Sequence, residues 1–127
     1  PPKDEKSMNP IKRGFKEKVY VLVGGNTFSA GSTFALNCKN QGIALIGEET
    51  GGGYYMHTGG YPVIYELPHS KIKILISLVK AIKNVNDKTV KKGTGVPPDT
   101  VVKLTVPDLI EGKDSQLNYT LRLIANQ

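Results

Sequence analysis

The stretch from Val19 to Glu48 constrains the fold more than any other part of the chain. Val19-Tyr20-Val21-Leu22-Val23 is an apolar, β-branched run. Gly24-Gly25-Asn26-Thr27-Phe28-Ser29 follows as a turn of mostly small or polar residues, and Ala30–Gln41 then carries helical spacing, with Phe34, Ala35 and Cys38 on one face. Gly42 stands where a glycine commonly ends a helix, and Ile43-Ala44-Leu45-Ile46-Gly47 is a second apolar run. Strand, crossover helix and strand make a βαβ unit, which joins two parallel strands. The continuous apolar character of Lys18–Val23 predicts a strand buried on both faces. Ser29 falls at the point where helix N–H groups converge, so its hydroxyl can serve as a nucleophile and its neighbours can hold an oxyanion. The plainer reading of the same residue is a helix N-cap.

The rest of the chain supplies smaller elements. Residues 1–17 are polar and lysine-rich, carry Pro1, Pro2 and Pro10, and read as a linker or a displaced loop. Residues 18–127 form the second unit. Glu48–Gly60 is rich in glycine and reads as an irregular loop whose backbone another chain or ligand can approach closely. Tyr61–Leu67 and Lys71–Val79 read as strands joined by Pro68-His69-Ser70, and in the second the alternation of Ile72, Ile74 and Ile76 predicts one buried face. Lys80–Asn86 continues extended, Gly93–Asp99 is a rigid loop, and Val101–Val106 is a short strand. Asp114–Ala125 is predicted to be an amphipathic helix capped by Asp114 or Ser115, with Leu117, Leu121 and Ile124 on one face.

Composition narrows the functional classes. With 127 residues, the chain amounts to one domain. The net charge of +6 invites a nucleic-acid partner, but no aromatic residue and no arginine accompanies Lys71, Lys73, Lys80, Lys83, Lys88, Lys91 and Lys92. Solvated strand faces account for those lysines, and no nucleic acid is expected. One cysteine, Cys38, excludes an internal disulfide and reads as a buried small residue. His57 and His69 with scattered carboxylates offer no metal-ligand spacing, and Gly51-Gly52-Gly53 lacks the Lys-Ser/Thr of a phosphate loop, so no metal and no cofactor are expected. No apolar run approaches the ~20 residues of a membrane-spanning helix. Pro1–Lys6 shows no signal-peptide pattern, and the chain reads as a product cut from a longer protein.

Four segments, in this order, resemble the serine peptidases related to carboxy-terminal processing (tail-specific) proteases and to the tricorn core. They are Asn26-Thr27-Phe28-Ser29-Ala30 between strand and helix; Ile46-Gly47-Glu48-Glu49-Thr50-Gly51-Gly52; the strand pair around Leu67-Pro68-His69-Ser70; and Gly95-Val96-Pro97-Pro98-Asp99 followed by Gly112–Leu117. The resemblance implies an α/β fold with a crotonase-like layered sheet and helices, of which this chain is the C-terminal part of the catalytic domain. It implies Ser29 as nucleophile, the backbone N–H of Ala30 as an oxyanion donor, and Gly51, Gly52 and Gly53 at the substrate. One such donor is worth on the order of 10²–10³ in rate in other serine peptidases. Substrates would be extended or C-terminal peptide segments, paired with a strand edge.

The chain departs from the family pattern at the base. The tail-specific branch has a lysine where Gly53 stands, so that Ser/Lys dyad is absent. The tricorn-like branch takes a histidine from a segment upstream of the first strand, and Lys92 occupies the place of its supporting acid. Neither His57 nor His69 matches a catalytic position of the family. The expectation is therefore a serine endopeptidase piece that carries the nucleophile without its base and is inactive alone. The alternative is a non-catalytic module binding peptides or apolar ligands on the same fold. Sheet edges left open predict a homodimer or strand swap. By resemblance alone, the location is periplasmic, cell-envelope or secreted.

Overall fold

The computed structural model describes residues 14–126. Residues 1–13 of the expected N-terminal linker lie outside the described residues. The architecture is α/β, with three small sheets and three helices among the described residues. β1 (Tyr20–Val23), α1 (Ser29–Asn40) and β2 (Ala44–Gly47) form the expected βαβ unit, with β1 parallel to β2 in the register Tyr20 to Ala44 through Val23 to Gly47. Gly42, at φ +75°, turns the chain out of α1. The strand order β1-β2-β7 is completed by β7 (Thr100–Val101), also parallel to β2.

The core lies between this sheet and α1. Val23 and Leu45 from the sheet meet Ala35, Leu36 and Cys38 from the helix, and the buried Tyr54 and Val96 close the cluster from two loops. β1 is not buried on both faces as its apolar run predicts. It is an edge strand, and Leu22 is exposed because its side chain borders an open cavity.

Two further strand pairs stand apart from the parallel sheet. β3 (Met56–Thr58) pairs antiparallel with β6 (Lys80–Ile82), so part of the glycine-rich segment is regular after all. A long-range partner supplies the pairing that local composition argues against. β4 (Pro62–Glu66) and β5 (Lys73–Ser77) form the predicted hairpin. Its expected buried face is absent: Ile72, Ile74 and Ile76 are all exposed, because the hairpin packs chiefly on itself.

Thr100–Val101 ends early, and the rest of the predicted final strand turns into α2 (Val106–Ile110). Thr105 and Asp108 form a capping box there, each side chain accepting from the other's backbone N–H at 3.3 Å, with Pro107 in the first turn. α3 (Ser115–Ala125) is capped by Asp114, which accepts from the Leu117 N–H at 2.9 Å. It packs on β1 and β2 and buries Thr120, whereas Leu117, Leu121 and Ile124 remain exposed, so the covered face is not the one apolar periodicity predicts.

Two loops carry the weight of joining these elements. The buried Thr50 Oγ1 accepts from the Val96 N–H at 2.8 Å and donates to the Gly52 carbonyl at 2.8 Å. The Thr50 N–H donates to the Val96 carbonyl at 3.1 Å, and Glu49 Oε1 accepts from the Gly95 N–H at 2.7 Å. Asp99 Oδ2 accepts from the Leu45 N–H at 2.8 Å, while Oδ1 pairs with Lys39. Removing the Thr50 hydroxyl strands a buried N–H at Val96. Thr50→Val is expected to cost about 1–3 kcal/mol in urea unfolding, with the slope of the transition unchanged.

Candidate active site

The strand β1 delivers the chain into a tight turn. The Thr27 N–H donates to the Gly24 carbonyl at 2.8 Å, and the Gly24 N–H donates to Thr27 Oγ1 at 3.1 Å. Phe28 is the residue before α1 and makes no side-chain cap, so Ser29 is not the N-cap but the first residue of the helix. Its φ is +47°, a left-handed conformation that costs a non-glycine residue of order 1–3 kcal/mol. Ser29 is exposed, and among the described residues no group hydrogen-bonds its Oγ. Its carbonyl is held instead, by Ser32 Oγ donating at 2.9 Å and Thr33 Oγ1 donating at 3.2 Å. The result is a strained strand-to-helix elbow that presents a free hydroxyl at the positive end of a 12-residue helix.

The glycine loop packs directly against this elbow. The Gly52 N–H donates to the Thr27 carbonyl at 3.0 Å. A Cβ on Gly52 would meet Ser32 Oγ at 2.3 Å, and one on Gly51 would meet the Gly25 carbonyl oxygen at 2.2 Å. The freedom of Gly51 and Gly52 is thus used by the protein's own turn. Gly53 is half-buried and bridges to Gly95.

One residue that sequence reasoning assigned to a solvated face comes into this contact. Lys83, just past β6, donates from Nζ to the Gly53 carbonyl at 2.8 Å and to Ser32 Oγ at 3.0 Å. Its backbone N–H donates to the Tyr55 carbonyl at 2.9 Å, which extends the β3–β6 ladder and fixes the side chain's direction. Burial pushes the Lys83 pKa below the ordinary lysine value. It borders a cavity of about 590 Å³ shared with Tyr55, Lys80, Lys88 and Lys92, and among the described residues no carboxylate lines that cavity. No local pattern announces Lys83, because its role depends on a strand pairing that the glycine-rich loop conceals.

The histidines take no part in the elbow. His57 lies half-buried in β3 with Nδ1 unpartnered, His69 lies in the hairpin turn, and neither hydrogen-bonds Ser29. Burial raises the Cys38 pKa, which keeps the thiol neutral and suits a packing role. No group of potential metal ligands occurs among the described residues. No helix among them is long and apolar enough to cross a membrane. A second cavity, of about 520 Å³, opens beside the turn between Gly24, Asn26 and Gln116.

The sequence profile described as peptidase family S41 matches residues 2–102. The chain belongs to this family of serine peptidases, the carboxy-terminal processing proteases. No match to the chain is found among curated proteins. The S41 match spans Ser29, Ala30, the three glycines and Lys83, while α2 and α3 lie beyond it.

Lys83 gives the site a pH signature. The unfolded chain holds the lysine proton up to about 10.5, and the folded chain releases it at lower pH. Between the two values the unfolded state binds more protons, so stability rises with pH through that window. Urea unfolding at pH 8 and pH 10 is expected to show this gain in the wild type and to lose it in Lys83→Met.

Proposed function

We propose that the chain is the nucleophile-bearing part of a serine endopeptidase, with Ser29 attacking a peptide carbonyl and the Ala30 N–H receiving the oxyanion. The observation that carries this reading is Ser29 itself: exposed, at φ +47°, with an uncommitted Oγ at a helix N-terminus. A solvent-facing serine held in a costly backbone conformation has no structural return, whereas a nucleophile elbow requires that conformation. Membership of a serine peptidase family supports the same assignment.

The α/β elements fit a crotonase-like catalytic domain. In the acylation step Ser29 Oγ adds to the substrate carbonyl carbon as the carbonyl opens to an oxyanion and the serine proton passes to a base; the oxyanion then collapses, the C–N bond breaks, and the base returns the proton to the leaving amine. That base is a histidine of a segment that is not in this sequence, as the tricorn-like resemblance implies. The tetrahedral oxyanion faces the Ala30 N–H and the partial positive charge of α1. The substrate is an extended peptide segment that adds to a strand edge.

A fluorophosphonate probe on the full-length polypeptide, read by intact mass, tests the assignment. The wild type is expected to gain one adduct that Ser29→Ala does not form. An adduct that persists in Ser29→Ala, or a folded wild type that forms none, removes Ser29 as the nucleophile.

A further inference from the structure

The geometry points to Lys83 as a positioning residue that aims the Ala30 N–H, acting through Ser32 and the Ser29 carbonyl. This inference rests on the assignment of Ser29 and Ala30 above. Lys83 Nζ has only protons to offer when charged, so Ser32 Oγ receives from it at 3.0 Å and must direct its own proton elsewhere. That proton goes to the Ser29 carbonyl at 2.9 Å, where the exposed Thr33 Oγ1 donates as well at the longer distance of 3.2 Å. The Ser29 carbonyl and the Ala30 N–H are the two ends of one peptide unit, trans and planar. Whatever holds the carbonyl therefore sets the direction of the N–H. A carbonyl that accepts from a hydroxyl already polarised by a cation also leaves its own N–H a stronger donor.

The second bond of Lys83 anchors the relay. Nζ donates to the Gly53 carbonyl at 2.8 Å, so the ammonium is fixed by the glycine loop and not by the helix it acts on. Ser32 is fully buried and cannot turn to water for a different partner. Lys83 is half-buried, and partial removal from water is offset by its bonds to Gly53 and Ser32. A methionine would leave both acceptors without the ammonium, so the variant tests the relay through Ser32.

The test uses the full-length polypeptide with Lys83→Met, Lys83→Arg, Ser32→Ala and the double variant Lys83→Met/Ser32→Ala. The first readout is fluorophosphonate inactivation, split into the limiting rate and the half-saturating concentration. Lys83→Met and Ser32→Ala are each expected to slow the limiting rate by about tenfold, less than outright loss of a donor. The half-saturating concentration should hold, and Lys83→Arg should recover part of the rate. The double variant should be no slower than either single one, since both break one relay.

The second readout is the amide proton shift and hydrogen exchange of Ala30, which needs no reactive serine. Both are expected to change in Lys83→Met and Ser32→Ala while the unfolding midpoint shows the fold intact. If the wild type is labelled at Ser29 and Lys83→Met reacts at the same rate, the relay is wrong and the nucleophile assignment stands. If the wild type is not labelled, the nucleophile assignment fails. The Ala30 amide then decides the relay: an unchanged amide in both variants overturns it, and a changed one upholds it.

Discussion

The glycine loop and the elbow are fastened directly to each other. The Gly52 N–H on the Thr27 carbonyl, at 3.0 Å, joins the turn after β1 to the loop after β2. The approach is possible only because positions 51 and 52 carry no Cβ. The loop is held in turn from the far side. Thr50 and Glu49 bind Val96 and Gly95, and Asp99 returns to Leu45 at the start of β2. The segments that mark the family in the sequence are thus fasteners, and what they fasten is the strained backbone of Ser29. A residue at φ +47° persists only where its surroundings over-determine it.

Electrostatics at the elbow come from two sources of different range. The helix N-terminus contributes a partial positive charge that every βαβ crossover of this kind possesses. Lys83 adds a cation bound to Ser32 and Gly53, beside a cavity lined among the described residues by other lysines and by no carboxylate. Both favour negative charge at the start of α1, which is where an oxyanion would form. Neither is a base, and Ser29 Oγ has no hydrogen-bond partner among the described residues. Under the proposed function the elbow would supply a nucleophile and its electrostatic setting, and a separate segment would accept the proton.

Local pattern made the βαβ unit legible, because a β-branched run, a small-residue turn and a helical repeat each depend on neighbours in sequence. The same holds for the β4–β5 hairpin and for the Asp114 cap. Burial was less legible. The faces predicted for β5 and α3 are not the buried ones: Ile74, Ile76, Leu117 and Leu121 are exposed, because periodicity says which residues share a face and not whether anything covers it. The short α2 was signalled by Thr105, Pro107 and Asp108 but hidden behind a run of valines. Lys83 was illegible for a different reason. Its position depends on β6 pairing with residues inside the glycine-rich loop, and no local repeat reports a pairing between distant segments.

A high-resolution structure of the fluorophosphonate-treated full-length polypeptide would show where the serine chemistry sits. Phosphorus is expected on Ser29 Oγ, with the phosphonyl oxygen within about 3 Å of the Ala30 N–H. Phosphorus on Ser29 with that oxygen turned away from the helix N-terminus, or phosphorus on another residue, would contradict the proposed roles of Ser29 and Ala30.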